Sequence, residues 1–194
     1  MTIKTLTTGQ LQTNCYLVTD EETRQTLIID PGDEADFITT TILENKLIPQ
    51  AIILTHGHYD HCLGCLELKL NFSIPIYLHS KDIFLYQQAH TSAKHFSGIK
   101  IPKLPAIDFY LSNKQIVIFG NSSLQIIHTP GHTPGSCCFL IENNLFTGDT
   151  LFATGIGSAD HKYSSKPNLN KSIKHISEIC NLKSEIYIYP GHED

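Results

Sequence analysis

Short apolar segments and polar turns alternate along the whole chain, and most of the apolar segments are too short for helices. Nine of them predict strands, since each is rich in β-branched or aromatic residues and ends at a polar turn: TNCYLVTD, RQTLIID, AIILT, IPIYLH, QIVIFG, SLQIIHT, SCCFLIE, NLFTGD and EIYIY. Three longer segments predict helices, since their apolar positions recur at helical spacing: ADFITTTILENKL, CLGCLELKL and NLNKSIKHISEICNLK. Asp33 is placed to N-cap the first helix. Residues 80–105 mix a further helical pattern with a loop that contains Pro and Gly.

No low-complexity tract or linker divides the sequence, so we interpret residues 1–194 as a single domain, long enough to bury a sizeable core. The net charge of -5 counts against a nucleic-acid or anionic-membrane partner, because such a surface needs clustered Lys and Arg. Arg24 is the only arginine. A bidentate arginine clamp on a substrate carboxylate or phosphate is therefore not expected.

The N-terminal segment MTIKTLTTGQ lacks the apolar run of a signal peptide, and no segment approaches the ~20 apolar residues that a membrane-spanning helix needs. We therefore expect a cytoplasmic protein. Disulfides are rare in that compartment, so we expect six free thiols: Cys15, Cys62, Cys65, Cys137, Cys138 and Cys180. The single CxxC pair opens a predicted helix, which favours core packing over redox or zinc chemistry.

Metal-ligand side chains follow the ends of four predicted strands. They are His56, His58, Asp60 and His61 after AIILT, His132 after SLQIIHT, Asp149 after NLFTG, and His192 after EIYIY. If these strand ends lie along one edge of the core, the loops converge there, as binding loops on a rigid scaffold usually do. His132 and His192 each end a PGH tripeptide, in which the Gly lets the backbone turn tightly after the strand.

Five imidazoles and two carboxylates are too many for one ion, because a catalytic zinc takes three protein ligands and a water. They fit two ions about 3.5–4 Å apart with one carboxylate between them. Imidazole and carboxylate suit zinc, iron or manganese, so the ligand types leave the metal open. The other histidines are expected to be structural or solvent-exposed, since a lone histidine is seldom a ligand: His79, His90, His95, His128, His161 and His175.

Four motifs, THGHYDH, TPGHTPGS, FTGDTLF and YPGH in this order, resemble those of the metallo-beta-lactamase fold hydrolases. The most similar branch is the glyoxalase II-like group, the hydroxyacylglutathione hydrolases, and the resemblance runs from about Asn14 to His192. It implies an α+β fold, a four-layer αββα sandwich of two mixed sheets with a dinuclear metal site on one edge. The implied ligands are three for the first metal, three for the second and one bridge: His56, His58 and His132; Asp60, His61 and His192; and Asp149.

The resemblance also implies a metal-dependent hydrolase of small acyl thioesters that uses two divalent ions, with zinc expected before iron or manganese. In that reaction a hydroxide between the ions attacks the thioester carbonyl, and Asp60 and Asp149 serve as catalytic carboxylates that hold the ions. A thiolate leaves without strong protonation, so thioesters suit a site with no evident further general acid. The expected partner is a small-molecule thioester, without nucleic acid or membrane.

Three other interpretations stay open. Persulfide dioxygenases resemble the same family but use one iron held by two His and one Asp, and Asp60, His61 and His192 complete a second site that such enzymes do not need. A lactonase would use the same scaffold, whereas a secreted beta-lactamase or a nuclease fits the sequence less well. A binding or scaffold protein would keep the metal without turnover.

The sequence departs from glyoxalase II in features that concern substrate recognition. Full-length glyoxalase II has a helical C-terminal region that helps to hold glutathione, whereas this sequence stops two residues after His192. Relatives often carry an arginine near Ser158, which this sequence does not supply. Lys162 and Lys166 are candidate contacts for a substrate carboxylate. Tyr59, a spacer within THGHYDH, is a further candidate substrate contact.

Overall fold

The computed structural model describes residues 1–183 and 185–193. Within these residues, six strands form a first sheet in chain order. The first three strands pair antiparallel and the remaining pairs are parallel. The strands are β1 (Thr2–Thr8), β2 (Thr13–Thr19), β3 (Gln25–Ile29), β4 (Ile48–Ile53), β5 (Ile76–His79) and β6 (Phe109–Leu111).

Five strands form a second mixed sheet in the spatial order β11-β10-β9-β8-β7. Only β10 and β11 pair parallel in this sheet; its other described pairs are antiparallel. The strands are β7 (Ile116–Phe119), β8 (Ser122–His128), β9 (Cys137–Ile141), β10 (Asn144–Gly148) and β11 (Tyr187–Pro190).

The two sheets pack face to face because alternate residues of a strand point to opposite faces. In β2, Tyr16 and Val18 join the apolar cluster between the sheets, whereas Leu17 joins the cluster beneath the helices. Tyr16 meets Phe146 of the second sheet edge to face, with ring centroids 5.1 Å apart. Burial on both faces explains the continuous apolar runs Cys15–Val18 in β2 and Leu27–Ile29 in β3.

Four α-helices in the described residues cover the outer faces of the sheets: α1 (Ala35–Glu44), α2 (Cys65–Phe72), α3 (Ile83–Phe96) and α4 (Lys166–Asn181). The first three pack on the first sheet, and α4 packs on the second through Ile176. The layer order is therefore helix, sheet, sheet, helix, which confirms the predicted α+β αββα sandwich. None of the described helices is long and apolar enough to cross a membrane.

The nine predicted strands and three predicted helices are confirmed, and the helical pattern within residues 80–105 is α3. The sequence did not predict β1 and β6, since β1 lies at a sheet edge with only two apolar residues, Ile3 and Leu6, and β6 has only three residues. The predicted N-cap Asp33 is wrong. Glu34 occupies that position at φ 53°, no side chain caps the helix, and Asp33 instead accepts a hydrogen bond from the Glu34 N–H.

The CxxC thiols are core groups, as predicted. Cys62 and Cys65 have no exposed surface and belong to the apolar cluster beneath the helices. Cys137 and Cys138 are also fully buried, and all six cysteines are free. Burial raises the pKa of Cys62 and Cys65 well above that of an ordinary thiol, so neither is a ready nucleophile.

Candidate metal centre

Four loops meet at one edge of the sandwich, where β4, β8, β10 and β11 end. They bring together all seven ligand-type residues predicted from the sequence: His56, His58, Asp60, His61, His132, Asp149 and His192. The ligand atoms fall into groups in which every atom lies within 4.8 Å of the others. The convergence follows from topology, because β4 of the first sheet and three strands of the second end at the same edge.

The first group consists of three imidazoles and one oxygen of Asp149. Nδ1 of His58 lies 3.0 Å from Nε2 of His56 and 3.0 Å from Nε2 of His132. Oδ2 of Asp149 lies 3.5 Å from Nε2 of His132 and 3.9 Å from Nε2 of His56. Three imidazole nitrogens and a carboxylate oxygen form a donor set of the kind that binds a divalent transition metal.

The second group consists of Asp60, His61 and His192. Oδ2 of Asp60 lies 3.4 Å from Nε2 of His192 and 3.5 Å from Nε2 of His61, and these two ring nitrogens are 3.2 Å apart. The other oxygen of Asp149, Oδ1, lies 3.4 Å from His61 Nε2 and 3.7 Å from His192 Nε2. Asp149 thus faces each group with a different oxygen.

An unsatisfied polar atom shows that this donor set fits cations. Oδ1 of Asp149 is buried and has no hydrogen-bond partner among the described residues. A buried carboxylate oxygen without a donor is strongly unfavourable, and a bound cation would satisfy it. The residues therefore fit two divalent ions: each group would hold one, and Asp149 would offer an oxygen to each.

Each of the five histidines presents its second ring nitrogen to another partner in the protein. These contacts are His56 Nδ1 to Thr55 Oγ1 (3.0 Å), His58 Nε2 to Tyr163 Oη (2.7 Å), His61 Nδ1 to Asp30 Oδ2 (3.0 Å), His132 Nδ1 to Ser158 O (2.8 Å) and His192 Nδ1 to Leu11 O (2.8 Å). A carbonyl or carboxylate partner must receive an N–H, so those rings direct the lone pair of Nε2 into the centre. The fold thus orients all five rings and, for His61, His132 and His192, also sets which ring nitrogen faces the centre.

The turn that carries His192 is well supported although it lies close to the end of the sequence. The Gly191 N–H donates to Gly148 O at 2.9 Å, and Gly191 O accepts the Asn14 N–H at 2.8 Å. Gly148 directly precedes Asp149, and Asn14 belongs to β2. His192 is therefore held by contacts with β2 and with the end of β10.

Glycine is required in both PGH turns. A Cβ on Gly191 would overlap Asp149 Oδ1 and the ring of His61, so only glycine lets this backbone approach the ligands. Gly131 has φ +151°, and a Cβ there would overlap the backbone of Leu169 in α4. The predicted role of these glycines agrees with their geometry.

Burial and the neighbouring charges shift the pKa values of the candidate ligands in different directions. Burial, and next the neighbouring His132, lower the pKa of His58 to about 3, so its imidazole is neutral at pH 7. Burial raises the pKa of Asp60, but His61 and His192 outweigh burial and hold that pKa below its ordinary value. Burial would lower the pKa of His61, but the carboxylates of Asp149 and Asp60 raise it to about 10. At pH 7 this ring therefore carries a proton that a bound metal ion would displace.

Asp82 is a buried carboxylate that connects the loops of the centre, and no sequence pattern indicated it. Its Oδ2 accepts hydrogen bonds from the Gly57 N–H at 3.0 Å and from the Thr133 hydroxyl at 2.6 Å. Its Oδ1 accepts the Gly135 N–H at 2.6 Å. Gly57 lies between His56 and His58, and Thr133 follows His132. Asp82 therefore fixes the spacing between the two loops that supply the three histidines of the first group.

A sequence model of the metallo-beta-lactamase superfamily matches residues 8–192. The chain belongs to this superfamily. Membership confirms the resemblance seen in the motifs, and it makes the chain a metal-dependent hydrolase in the broad sense of that superfamily.

Curated relatives in the superfamily match over most of their length. The chain is 34% identical over 201 residues to the hydroxyacylglutathione hydrolase GloC of Haemophilus influenzae, which covers 99% of this chain and 91% of GloC. It is 33% identical over 178 residues to the probable polyketide biosynthesis zinc-dependent hydrolase PksB of Bacillus subtilis, which covers 92% of this chain and 72% of PksB.

Solved structures of superfamily members are also similar. The structure of the B3 metallo-beta-lactamase BLEG-1 superposes with a TM-score of 0.89 at 32% identity, over 100% of this chain and 92% of that one. A di-iron-bound form of TTHA1623 superposes with a TM-score of 0.87 at 35% identity, over 98% and 92% of the two chains.

In this superfamily member a cleft of about 640 Å³ reaches the metal centre at His58 and Asp60. Tyr59 lines it, as expected for a substrate contact. His161 and Tyr163 also line it, and their rings stack 5.1 Å apart. His161 is exposed and belongs to neither ligand group, as expected of a lone histidine.

The other five histidines set aside in the sequence lie outside both ligand groups: His79, His90, His95, His128 and His175. His79 and His128 stack on each other with ring centroids 4.2 Å apart. His95 and His175 are exposed on helices. Lys162 and Lys166 are exposed and do not line the cleft, so neither is placed to hold a carboxylate there.

Proposed function

We propose that this protein hydrolyses small acyl thioesters at a pair of divalent metal ions held by the two ligand groups. The observation that carries the proposal is the second group. Asp60, His61 and His192 are as complete as the first group, and Oδ1 of Asp149 approaches His61 as closely as Oδ2 approaches His132. An enzyme with a single iron needs only one such group, whereas a two-metal hydrolase needs both.

We propose zinc as the metal, because imidazole and carboxylate donors suit it and PksB is named a zinc-dependent hydrolase. Iron and manganese accept the same donors, and the solved form of TTHA1623 holds two irons. The proposed assignment is His56, His58 and His132 for one ion, Asp60, His61 and His192 for the other, and Asp149 for both.

The two ions, when bound, would supply a water of lowered pKa and would stabilise negative charge on the acyl oxygen. The residues of the chain position that chemistry. Asp149 and the oriented histidines fix the two sites relative to each other, and the cleft beside His58 and Asp60 receives the acyl group. The thiolate leaves without prior protonation, since a free thiol has a pKa of about 8.5.

Similarity to GloC, a named hydroxyacylglutathione hydrolase, supports a thioester over other acyl substrates. The net charge of -5 and the scarcity of arginine support a small-molecule substrate and neither a nucleic-acid nor a membrane partner. We also propose a cytoplasmic location, with which the free cysteines agree, since disulfides are rare in that compartment.

Metal analysis and a substrate panel on one preparation test the proposal. The panel contains S-lactoylglutathione, an acyl thioester of N-acetylcysteamine, a homoserine lactone, a chromogenic β-lactam and a persulfide with an oxygen electrode. We expect two metal ions per chain, the highest kcat/KM on a thioester, loss of activity with a chelator and recovery with zinc. One iron per chain together with oxygen uptake on the persulfide would show that the protein is a dioxygenase and would overturn the proposed hydrolase.

A lactone or β-lactam hydrolase is the second candidate, because the fold is so similar to that of BLEG-1. The same panel separates the two. A lactone or β-lactam kcat/KM above that of every thioester would establish the second candidate. Stoichiometric metal without turnover of any substrate would instead indicate a binding protein.

A further inference from the structure

One wall of the cleft above the metal centre is a face of α3, with an apolar residue at each end and two neutral polar residues between them. Leu85, Gln88, Ser92 and Phe96 line it at spacings of three, four and four residues, which place them on one side of a helix. Phe96 stacks on Tyr59, with ring centroids 6.2 Å apart, yet 70% of its surface stays exposed. A large aromatic surface of this kind is available to pack against an apolar ligand.

The lining carries no fixed positive charge. None of the described residues that line the cleft is a lysine or an arginine, and Asp60 is the one carboxylate among them. The single arginine, Arg24, donates to Asn45 O beside the end of α1. A carboxylate that entered the cleft would lose water without gaining a cation from its walls, which is unfavourable.

The polar side chains of the lining are neutral hydrogen-bonding groups. Gln88 and Ser92 of α3 line the cleft, and so does Gln10 of the turn between β1 and β2. An amide side chain can donate and accept at once, and a hydroxyl can do the same. This set matches the amide groups of an uncharged thiol carrier better than it matches the carboxylates of glutathione.

We propose that the cleft selects thioesters that join an apolar acyl group to an uncharged, amide-bearing thiol, in preference to thioesters of glutathione. The inference rests on the proposed thioester hydrolysis and names its substrate class. It departs from the activity for which GloC is named. The reason lies in the walls of the cleft, which offer apolar area and neutral donors and acceptors but no cation.

Binding of two thioethers tests the preference without requiring turnover. The metal-loaded protein is titrated calorimetrically with S-hexyl-N-acetylcysteamine and with S-hexylglutathione, which share the alkyl group and differ in the charge of the carrier. We expect the neutral ligand to bind at least about tenfold more tightly. Equal or tighter binding of S-hexylglutathione would overturn the inference. Because the ligands are not cleaved, this result is independent of whether the protein proves to be a thioester hydrolase.

A matched pair of variants locates the preference in the cleft. Gln88→Lys adds a cation to the wall, and Gln87→Lys adds the same charge on the same helix, where residue 87 lines a different groove. We expect Gln88→Lys to tighten S-hexylglutathione binding about threefold, the range of an exposed ion pair, with Gln87→Lys unchanged. Equal shifts in both variants would show that overall charge rather than the cleft lining sets the preference.

Discussion

Oδ2 of Asp30 lies 3.0 Å from Nδ1 of His61, and both residues are almost completely buried. The same oxygen accepts the Thr55 hydroxyl at 2.5 Å, and Thr55 Oγ1 lies 3.0 Å from Nδ1 of His56. One carboxylate at the end of β3 therefore orients a histidine of each ligand group, although it belongs to neither.

Replacing Asp30 by Asn should weaken metal binding without removing a ligand. The amide is a poorer acceptor for the His61 N–H, so the ring loses its fixed tautomer. We expect metal affinity to fall about 10–100-fold, the usual effect of losing an outer carboxylate. Competition titration with a zinc chelator measures this. Asp36→Asn, an exposed carboxylate on α1, is the control, and equal affinities in the two variants would contradict the role of Asp30.

Replacing Asp60 by Ala should remove one of two metals. Asp60 contributes a carboxylate only to the second group, where Oδ2 faces His192 at 3.4 Å. We expect metal content to fall from two ions per chain to about one and kcat/KM to fall at least about 100-fold, with an unchanged circular dichroism spectrum. Asp160→Ala, on an exposed loop, is the control. Full activity in Asp60→Ala would contradict the dinuclear assignment.

Replacing Asp82 by Asn should destabilise the fold. The amide turns one accepting oxygen into a donor that faces the donors of Gly57, Thr133 or Gly135. We expect the free energy of unfolding to fall by about 2–3 kcal/mol, measured by urea unfolding of the metal-free protein. Thr133→Val removes one donor and should cost about 1 kcal/mol. A loss in Asp82→Asn no greater than in Thr133→Val would show that the carboxylate does not join the loops.

The stacked pair His79 and His128 should make the fold acid-sensitive. Burial, and then the neighbouring His128 and Lys81, lower the pKa of His79 from 6.5 to about 4. Between these values the unfolded chain binds a proton that folded His79 does not, so stability falls as pH drops from 6.5 towards 4. His79→Gln should therefore reduce the slope of unfolding free energy against pH in this window.

The control for this pH dependence is His175→Gln, on an exposed face of α4 away from His79. It removes one histidine without removing the stacked pair. We expect its slope to equal that of the unsubstituted protein. An unchanged slope in His79→Gln would show that the stacked pair contributes nothing to acid sensitivity.

The sequence by itself determined most of the elements and predicted the candidate ligands, because both are encoded locally. Strands buried on both faces must be continuous apolar runs, and α4 must alternate apolar and polar residues at helical spacing. His56, His58, Asp60 and His61 stand within six positions, and the PGH turns mark His132 and His192. So dense a pattern of ligand-type residues can be recognised without knowing their neighbours in the folded protein. Short or edge strands such as β6 were missed because little of their surface is buried.

Only the tertiary structure decided what supports and surrounds those ligands. Asp82 is 25 residues from Gly57 and 51 from Thr133, and Tyr163 is 105 residues from His58. Each is an ordinary residue type in an ordinary context, so no local pattern distinguishes it. The face that α3 turns towards the metal centre is likewise set by packing. Short motifs therefore specify the candidate ligands. The orientation of those side chains and the lining of the cleft depend instead on which distant segments the fold brings together.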